Sequence, residues 1–160
     1  MPEAYYLKLG SGTGQVLGAS RDRYHMGWIK LVSFSPDVGT GGGGGGAGRA
    51  RISQFFLTKL EDRTSPEIFL AVHSGRHFRS VDLDVADART GIPKVRFSFT
   101  DVLLGSHKAH ADTSPSFPAR GETFSLNFVS MKMTHNPTPE ETVGDIAQSV
   151  FKSLGLDAVR

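Results

Sequence analysis

The segment FSLNFVSMKM, residues 124–133, carries the pattern that decides the fold. Apolar residues occupy first the even and then the odd positions: Phe124, Leu126, Phe128, Val129, Met131 and Met133. Strict alternation is typical of a strand with one buried face. A slip of one residue predicts a β-bulge near Phe128 and Val129, or a strand that serves two sheets. Both features help a sheet to close into a barrel, so this segment favours a mainly β fold.

Five earlier segments also have the apolar or alternating character of short strands. They are residues 4–9, 28–35, 49–59, 78–85 and 94–104. After the third of them, Ser65 is the expected N-cap of a short helix that has Pro66 at its first position and ends at Gly75. About six strands and one helix within residues 1–135 predict a compact two-sheet β-barrel with one short flanking helix.

A stretch of low complexity interrupts this pattern at residues 36–48. It contains six consecutive glycines: Gly41, Gly42, Gly43, Gly44, Gly45 and Gly46. Such a run loses more backbone entropy on folding than any other composition, so we expect a flexible loop. A nucleotide P-loop needs Lys and then Ser or Thr after its last glycine. Arg49 and Ala50 follow Gly48 here, which excludes a nucleotide site of that kind.

Residues 136–160 have a different pattern and form a predicted helical extension. The sequence TPEE, residues 138–141, fits a capping box with proline at the first helical position. Helical spacing then places six apolar residues on one face: Val143, Ile146, Ala147, Val150, Phe151 and Leu154. We therefore expect a C-terminal amphipathic helix of about four turns. It either covers its own barrel or docks on a neighbouring subunit.

The charge and hydropathy patterns exclude two classes of partner. The 18 basic and 16 acidic residues give a net charge of +2, and the basic residues are scattered rather than clustered as in a nucleic-acid footprint. No run approaches the length of about 18 apolar residues that a membrane-spanning helix needs. The N-terminus, MPEAYYLKLG, lacks the basic and apolar regions of a secretory signal. We expect a cytoplasmic protein that uses no such signal if it leaves the cell.

The residue types of a catalytic or metal site do not come together in the sequence. Cysteine is absent, which excludes disulfides, thiolate ligands and a thiol nucleophile. Gly75 separates His73 from His77, while His107 and His110 have only Asp112 nearby. Two ligands without a third are usually surface histidines. The G-x-S-x-G signature of a nucleophile elbow is also absent. We predict no catalytic residue, no cofactor and no metal, and so not an enzyme.

Several short motifs follow one another in an order and spacing that resemble a known family. They are YYLKL (5–9), LVSFS (31–35), GGGGGGAG (41–48), FFLTK (55–59), SP (65–66), SGRH (74–77), DVLL (101–104) and ETFSLNF (122–128). Together they resemble the Hcp family of type VI secretion system tube proteins over roughly residues 4–135. Pro36 departs from the family, which tends to have an aromatic residue there. The predicted helix after Pro137 is not a usual family feature either.

The resemblance implies a structural protein. It implies homo-hexameric rings that stack into a tube, which a contractile sheath fires outward with a spike at its tip, and which can carry small effectors. Alternative interpretations are a tube protein of a phage tail or of an extracellular contractile injection particle, or a small ligand-binding β-barrel. A binding barrel should be a monomer with an aromatic-lined pocket, whereas a tube subunit should form rings.

Two sets of residues are candidates for contacts in such a tube. Ser33 and Ser35 share one face and follow the apolar Ile29 and Leu31, so they suggest a face that leaves the core and meets water. We expect them to line the lumen and touch cargo. The resemblance offers the glycine loop a role in ring stacking or in contact with an adjacent subunit. The residues concerned are Asp37, Val38 and the six glycines at 41–46.

Overall fold

The structure is a computed structural model and describes residues 2–40, 50–111 and 120–138. Within these ranges the chain forms seven β-strands, one α-helix and a short 3-10 helix at Gly12–Gly14. The strands and the α-helix are β1 (Glu3–Leu9), β2 (Ile29–Leu31), β3 (Ser33–Thr40), β4 (Ala50–Leu60), α1 (Ser65–Ser74), β5 (His77–Asp87), β6 (Pro93–Ala111) and β7 (Arg120–His135). The protein is therefore mainly β, as the alternating patterns predicted.

All seven strands belong to one antiparallel sheet with the order β2-β1-β5-β6-β7-β4-β3. β2 and β3 follow each other directly in the chain, yet they lie at opposite edges of the sheet. Val32 joins these edges, since its N–H donates to the carbonyl of Thr58 at 2.7 Å. The sheet is consequently curled into a half-barrel. The two separate sheets expected from the sequence are not seen in the described strands.

The prediction of a single strand at residues 28–35 was wrong. Ile29 and Leu31 are buried in β2, which pairs with β1. After the break at Val32, Phe34 is the residue of β3 that packs against the core. The break changes which positions face inward, because the chain leaves one edge of the sheet and joins the other. Alternation alone does not record such a transfer.

The strands and α1 enclose one principal core. Phe55, Phe99 and Phe124 lie at its centre and are completely or almost completely buried. α1 covers part of this core with Ile68 and Ala71. It ends as predicted at Gly75, which has a φ of 69° and whose N–H donates to the carbonyl of Ala71. A left-handed glycine of this kind is a common helix terminator.

The start of α1 differs from the prediction by one residue. Thr64 occupies the N-cap position, and Ser65 is the first helical residue. Neither hydroxyl caps the helix in the usual way, because each has another partner. The Thr64 hydroxyl donates to Asp62 at 2.5 Å, and the Ser65 hydroxyl donates to Glu122.

The slip in the alternation of residues 124–133 is real, but the predicted β-bulge was wrong. The pairing of β6 with β7 keeps one register from Val95 opposite His135 to Gly105 opposite Ser125. Instead, three neighbouring strands shift, at the same level of the sheet, from even-numbered to odd-numbered core-facing residues or the reverse. The core-facing residues on the two sides of this shift are Phe78 and Val81 on β5, Phe99 and Val102 on β6, and Phe128 and Met131 on β7. Asp101 lies at this level with a φ of 53°. A bend across all three strands shifts the pattern while the pairing continues.

Both ends of the predicted glycine-rich loop can be compared with the strands that flank it. Pro36, Asp37 and Val38 belong to β3 and pair with β4, so the loop does not begin at residue 36. Pro36 is tolerated because β3 is an edge strand, where one side of the backbone needs no ladder partner. The glycines at 41–48 lie outside the described residues. So does the predicted C-terminal helix from residue 139 onward.

Candidate functional site

Ser33, Ser35 and Asp37 lie on the exposed face of the edge strand β3. All three side chains are exposed, while Phe34 between them stacks on Phe55 with a ring distance of 6.0 Å. Asp37 accepts a hydrogen bond from the Gln54 amide at 3.3 Å. The structure thus brings the two lumen candidates and one stacking candidate onto one surface. Val38 comes next, after a register shift between Asp37 and Val38.

A buried charged cluster lies inside the curled sheet beside α1. We call Lys59, Asp62, Ser65, His107 and Glu122 the Lys59 cluster. The fully buried Lys59 ammonium donates to Glu122 and to Asp62, each at 2.9 Å. Ser65 donates to the same Glu122 oxygen, and His107 Nε2 lies 2.9 Å from the other. The cluster therefore ties the start of α1 to β4, β6 and β7.

The electrostatics of this cluster favour an ionised Glu122. Burial by itself would raise the pKa of that carboxyl. Hydrogen bonds from Ser65, Lys59 and His107 outweigh burial and hold the pKa of Glu122 below its usual value. Glu122 lies between Ser65 and His107, so the histidine does not reach the serine hydroxyl as a general base would have to. This arrangement ties the start of α1 to the sheet.

A cavity of about 310 Å³ adjoins the Lys59 cluster. Its walls include Pro66, Phe69 and Ala109, and its polar lining comes from Glu61, Asp62, His107 and Glu122 among others. An aromatic-lined pocket was the expected feature of a ligand-binding barrel. Here the only aromatic rings among the described residues of the lining are Phe69 and the imidazole of His107, and both are accompanied by the carboxylates of the neighbouring acidic residues. The cavity gives little support to that alternative.

A second buried charged cluster lies on the outer face of the sheet. We call Asp22, His25, Asp84 and Arg96 the His25 cluster. His25 is fully buried, with Nδ1 2.6 Å from Asp22 and Nε2 2.8 Å from Asp84. Each ring nitrogen thus lies within hydrogen-bonding distance of a carboxylate oxygen. The Arg96 guanidinium donates to both oxygens of Asp84 at 2.6 and 2.8 Å. The cluster fixes the loop before β2 to β5 and β6.

Aromatic packing surrounds the His25 cluster. The imidazole stacks on Tyr6 at 4.2 Å and meets Trp28 edge-on at 4.8 Å. Burial would raise the pKa of Asp84, but the hydrogen bonds from Arg96 and His25 hold it below its usual value. Asp82, two residues earlier, shows the opposite balance. Its burial raises the pKa despite a hydrogen bond from Ser98.

Sequence reasoning missed both clusters, although one left a signal. Lys59 continues the core-facing positions of Phe55 and Leu57, and Glu122 precedes those of Phe124 and Leu126. A charged residue at a core-facing position of each strand could have indicated a buried ion pair. The His25 cluster left no such signal. Asp84 alternates like a solvent-facing residue, and only the folded loop buries it.

The described part of the chain contains no group of three His, Asp or Glu side chains arranged to hold a metal ion. Nor does any described helix combine the length and apolar character needed to cross a membrane. The geometry is that of a packed scaffold with exposed edges.

The comparisons with known proteins agree with one another in pointing to one family. The family model described as "Type VI secretion system effector, Hcp" matches residues 6–135. Among solved structures, Hcp1 from Salmonella typhimurium is 21% identical with a TM-score of 0.71, and the match covers 84% of this chain and 87% of that one. A type VI secretion system effector from Yersinia pestis is 19% identical with a TM-score of 0.67, covering 86% and 93%.

A third solved structure is the secreted protein Hcp3 from Pseudomonas aeruginosa. It is 14% identical with a TM-score of 0.64, covering 87% of this chain and 95% of that one. At these identities the structures show a shared fold, while the family model carries the assignment. No curated protein sequence matches the chain.

Proposed function

The chain belongs to the Hcp family of type VI secretion system tube proteins, and from this premise we propose that six copies form a ring and that rings stack into the inner tube. The observation that carries the proposal is the family match over residues 6–135, which spans every described strand except the first residues of β1. Hcp is a family of structural proteins. In keeping with this, the two buried clusters hold neighbouring secondary-structure elements together.

The surface of the protein is compatible with a head-to-tail ring. A ring closes when one surface patch meets a different patch on the next copy. Leu70 on α1 and Val129 on β7 are exposed apolar side chains on separate elements, with 63% and 77% of their surface accessible. Burying such side chains against a neighbour is favourable, at about 25 cal/mol per Å² of apolar surface. Because these side chains are already exposed on separate elements, two copies can meet through them without a change in the sheet.

The mass of the particle in solution tests ring formation directly. Size-exclusion chromatography with light scattering should give six times the chain mass of 17.3 kDa. Negative-stain microscopy of the same fraction should show rings with a central hole. A monodisperse monomer at tens of micromolar, without rings on the grids, would contradict the proposal.

The exposed face of β3 supports a specific position for cargo. Ser33 and Ser35 present small hydroxyls to solvent and leave room for a bound protein in the lumen. In this proposal Ser35 lines the hole and touches small effectors. Ser35→Trp should keep the rings intact and reduce effector retention, while Ser74→Trp at the exposed end of α1 should change neither. Equal retention by the two variants would place Ser35 away from the lumen.

The glycine tract and its flanking residues are proposed to contact the next ring or the adjacent subunit. β3 and β4 carry the chain to Thr40 and back from Ala50, which are paired with each other. The residues between them contain the six glycines, whose lack of side chains permits close backbone approach. Asp37 and Val38 precede this tract on the same strand.

The proposed partners of the assembled tube are the contractile sheath and the spike. In this proposal the protein leaves the cell through the same machine.

A further inference from the structure

Part of the inner apolar face of the sheet is not covered by α1. The helix lies against the second half of β6, because β5 begins directly after it and His77 pairs with Leu103. The first half of β6 is instead surrounded by apolar side chains that remain accessible to solvent. Five partly or largely exposed side chains meet there, which we call the apolar rim: Tyr5, Phe34, Phe97, Met131 and Met133.

The members of the apolar rim contact one another. Phe97 faces Phe34 with a ring distance of 5.8 Å, and Phe34 meets Tyr5 at 5.2 Å. Met133 is the direct cross-strand neighbour of Phe97 and remains 59% exposed. Side chains opposite each other on adjacent strands lie within contact distance. The rim is therefore a continuous apolar surface and not a set of scattered side chains.

The chain leaves β7 at this rim and turns back toward the sheet. Asn136 has a φ of 50°, and its N–H donates to the Lys94 carbonyl at 2.7 Å. Pro137 is buried. The last described residues are therefore held against the beginning of β6. Residues 139–160 continue from this point.

The sequence of residues 139–160 is complementary to the rim. Its six apolar residues, from Val143 to Leu154, fall at helical spacing on one predicted face, so the segment carries an apolar surface of its own to set against the rim. The glycine tract offers no side chains for this purpose.

We propose that residues 139–160 of the same chain form the cover of the apolar rim, with the apolar residues between Val143 and Leu154 facing Phe97 and Met133. Only Pro137 and Thr138 separate this segment from the end of the turn at Asn136. So short a connection gives the segment a high effective concentration at its own rim. This cover goes beyond the proposed tube function, and it does not depend on ring formation.

The absence of cysteine allows a direct test by disulfide mapping in the full-length chain. Met133→Cys combined with Val150→Cys should form an intramolecular disulfide in most molecules under mild oxidation, because covered residues come within bonding distance. Met133→Cys with Gln148→Cys is the matched control, since Gln148 is not on the predicted apolar face. Its disulfide yield should be several-fold lower. Loss of both thiols to the oxidant, with a mass lower by two hydrogen atoms in a product that remains a single chain, identifies the intramolecular disulfide.

A mixture of two single variants tests the competing occupant. Chains with only Met133→Cys are mixed with chains with only Val150→Cys. If disulfide-linked heterodimers form in this mixture at the yield of the double variant's disulfide, the proposal is overturned, because a second copy then covers the rim. The absence of a disulfide in both experiments would overturn it as well.

Thermal unfolding provides an independent measurement. Phe151→Asp places a charge on the covering face and should lower the melting temperature by about 4–8 °C, whereas Gln148→Asp should change it by less than about 1 °C. Equal melting temperatures would contradict the proposal. Light scattering on the oxidised Met133→Cys/Val150→Cys variant separates the two ideas, since absence of rings with an intact disulfide would contradict only the proposed tube function.

Discussion

The Lys59 cluster and the His25 cluster perform the same task with different charge balances. Each fixes a segment outside the sheet to the strands, α1 in the first case and the loop before β2 in the second. In the Lys59 cluster one buried ammonium serves the two carboxylates of Asp62 and Glu122. In the His25 cluster the carboxylate of Asp84 has two basic partners. Loss of Lys59 would therefore leave Asp62 without its cation and Glu122 with only His107 as a basic partner, whereas loss of His25 would leave Asp84 paired in full with Arg96.

The largest effect is expected from Lys59→Met. The substitution leaves two carboxylates without their shared cation, and breaking a buried pair in this way costs about 3–5 kcal/mol of unfolding free energy. Urea unfolding at pH 7 measures the change. Lys94→Met is the control, because Lys94 forms a half-exposed pair with Glu3 at 3.7 Å, and such pairs contribute about 1 kcal/mol or less. Similar losses in the two variants would show that the Lys59 cluster is not a special anchor.

A smaller loss is expected from His25→Phe. Phenylalanine keeps the ring stack on Tyr6 but removes both hydrogen bonds, while Arg96 still neutralises Asp84. We expect a loss of about 1–3 kcal/mol, typical of hydrogen bonds to charged groups. Urea unfolding measures it under the same conditions. A loss as large as that of Lys59→Met would remove the distinction between the two clusters.

Acid should weaken both clusters. Folding lowers the pKa of Glu122 and of Asp84. A carboxyl with a lowered pKa stabilises the fold above the pKa of the unfolded chain, about 4, and this stabilisation is lost as the pH falls through the folded-state value. The unfolding free energy should therefore fall below about pH 4. In Glu122→Gln, which lacks one of these carboxyls, the fall from pH 7 to pH 3 should be smaller than in the parent chain.

Asp82 should behave in the opposite way. Its folded-state pKa is raised, mainly by burial, so its charged form is disfavoured by folding at neutral pH. The associated stability is present below the pKa of the unfolded chain and is lost as the pH rises through the folded-state pKa. Asp82→Asn should therefore raise the unfolding free energy at pH 7, and the gain should disappear at low pH. A loss at pH 7 would show that the charge of Asp82 is used in the fold.

The smallest effect on stability is expected from deletion of residues 41–46, which belong to neither cluster. Loop-closure entropy changes by only about 0.6 kcal/mol for each doubling of loop length. Thermal unfolding should therefore be nearly unchanged, whereas microscopy and secretion assays should show the loss of stacked tubes. A large fall in melting temperature with tubes still present would assign the glycine tract to the sheet itself.

Much of the fold could be predicted from local patterns. The alternation in β5, β6 and β7, the turn at Gly75 and the helix between β4 and β5 were all predicted, and the family resemblance was confirmed by the family model. These features depend on neighbours within a few residues. The strand at 28–35 could not be predicted correctly, since its division at Val32 depends on contacts with Thr58.

The sequence by itself determined the mainly β character, the family and the core-facing positions of most strands. The two-residue alternation of apolar and polar side chains in a strand can be recognised from consecutive residues alone. Only the tertiary structure decided the curl of the sheet, the common bend at the level of Asp101 and the two charged clusters. His25 and Asp84 are 59 positions apart, as Lys59 and Glu122 are 63 apart. The core-facing positions of Lys59 and Glu122 indicate burial, but which charges pair depends on which segments fold over them, and no local pattern contains that information.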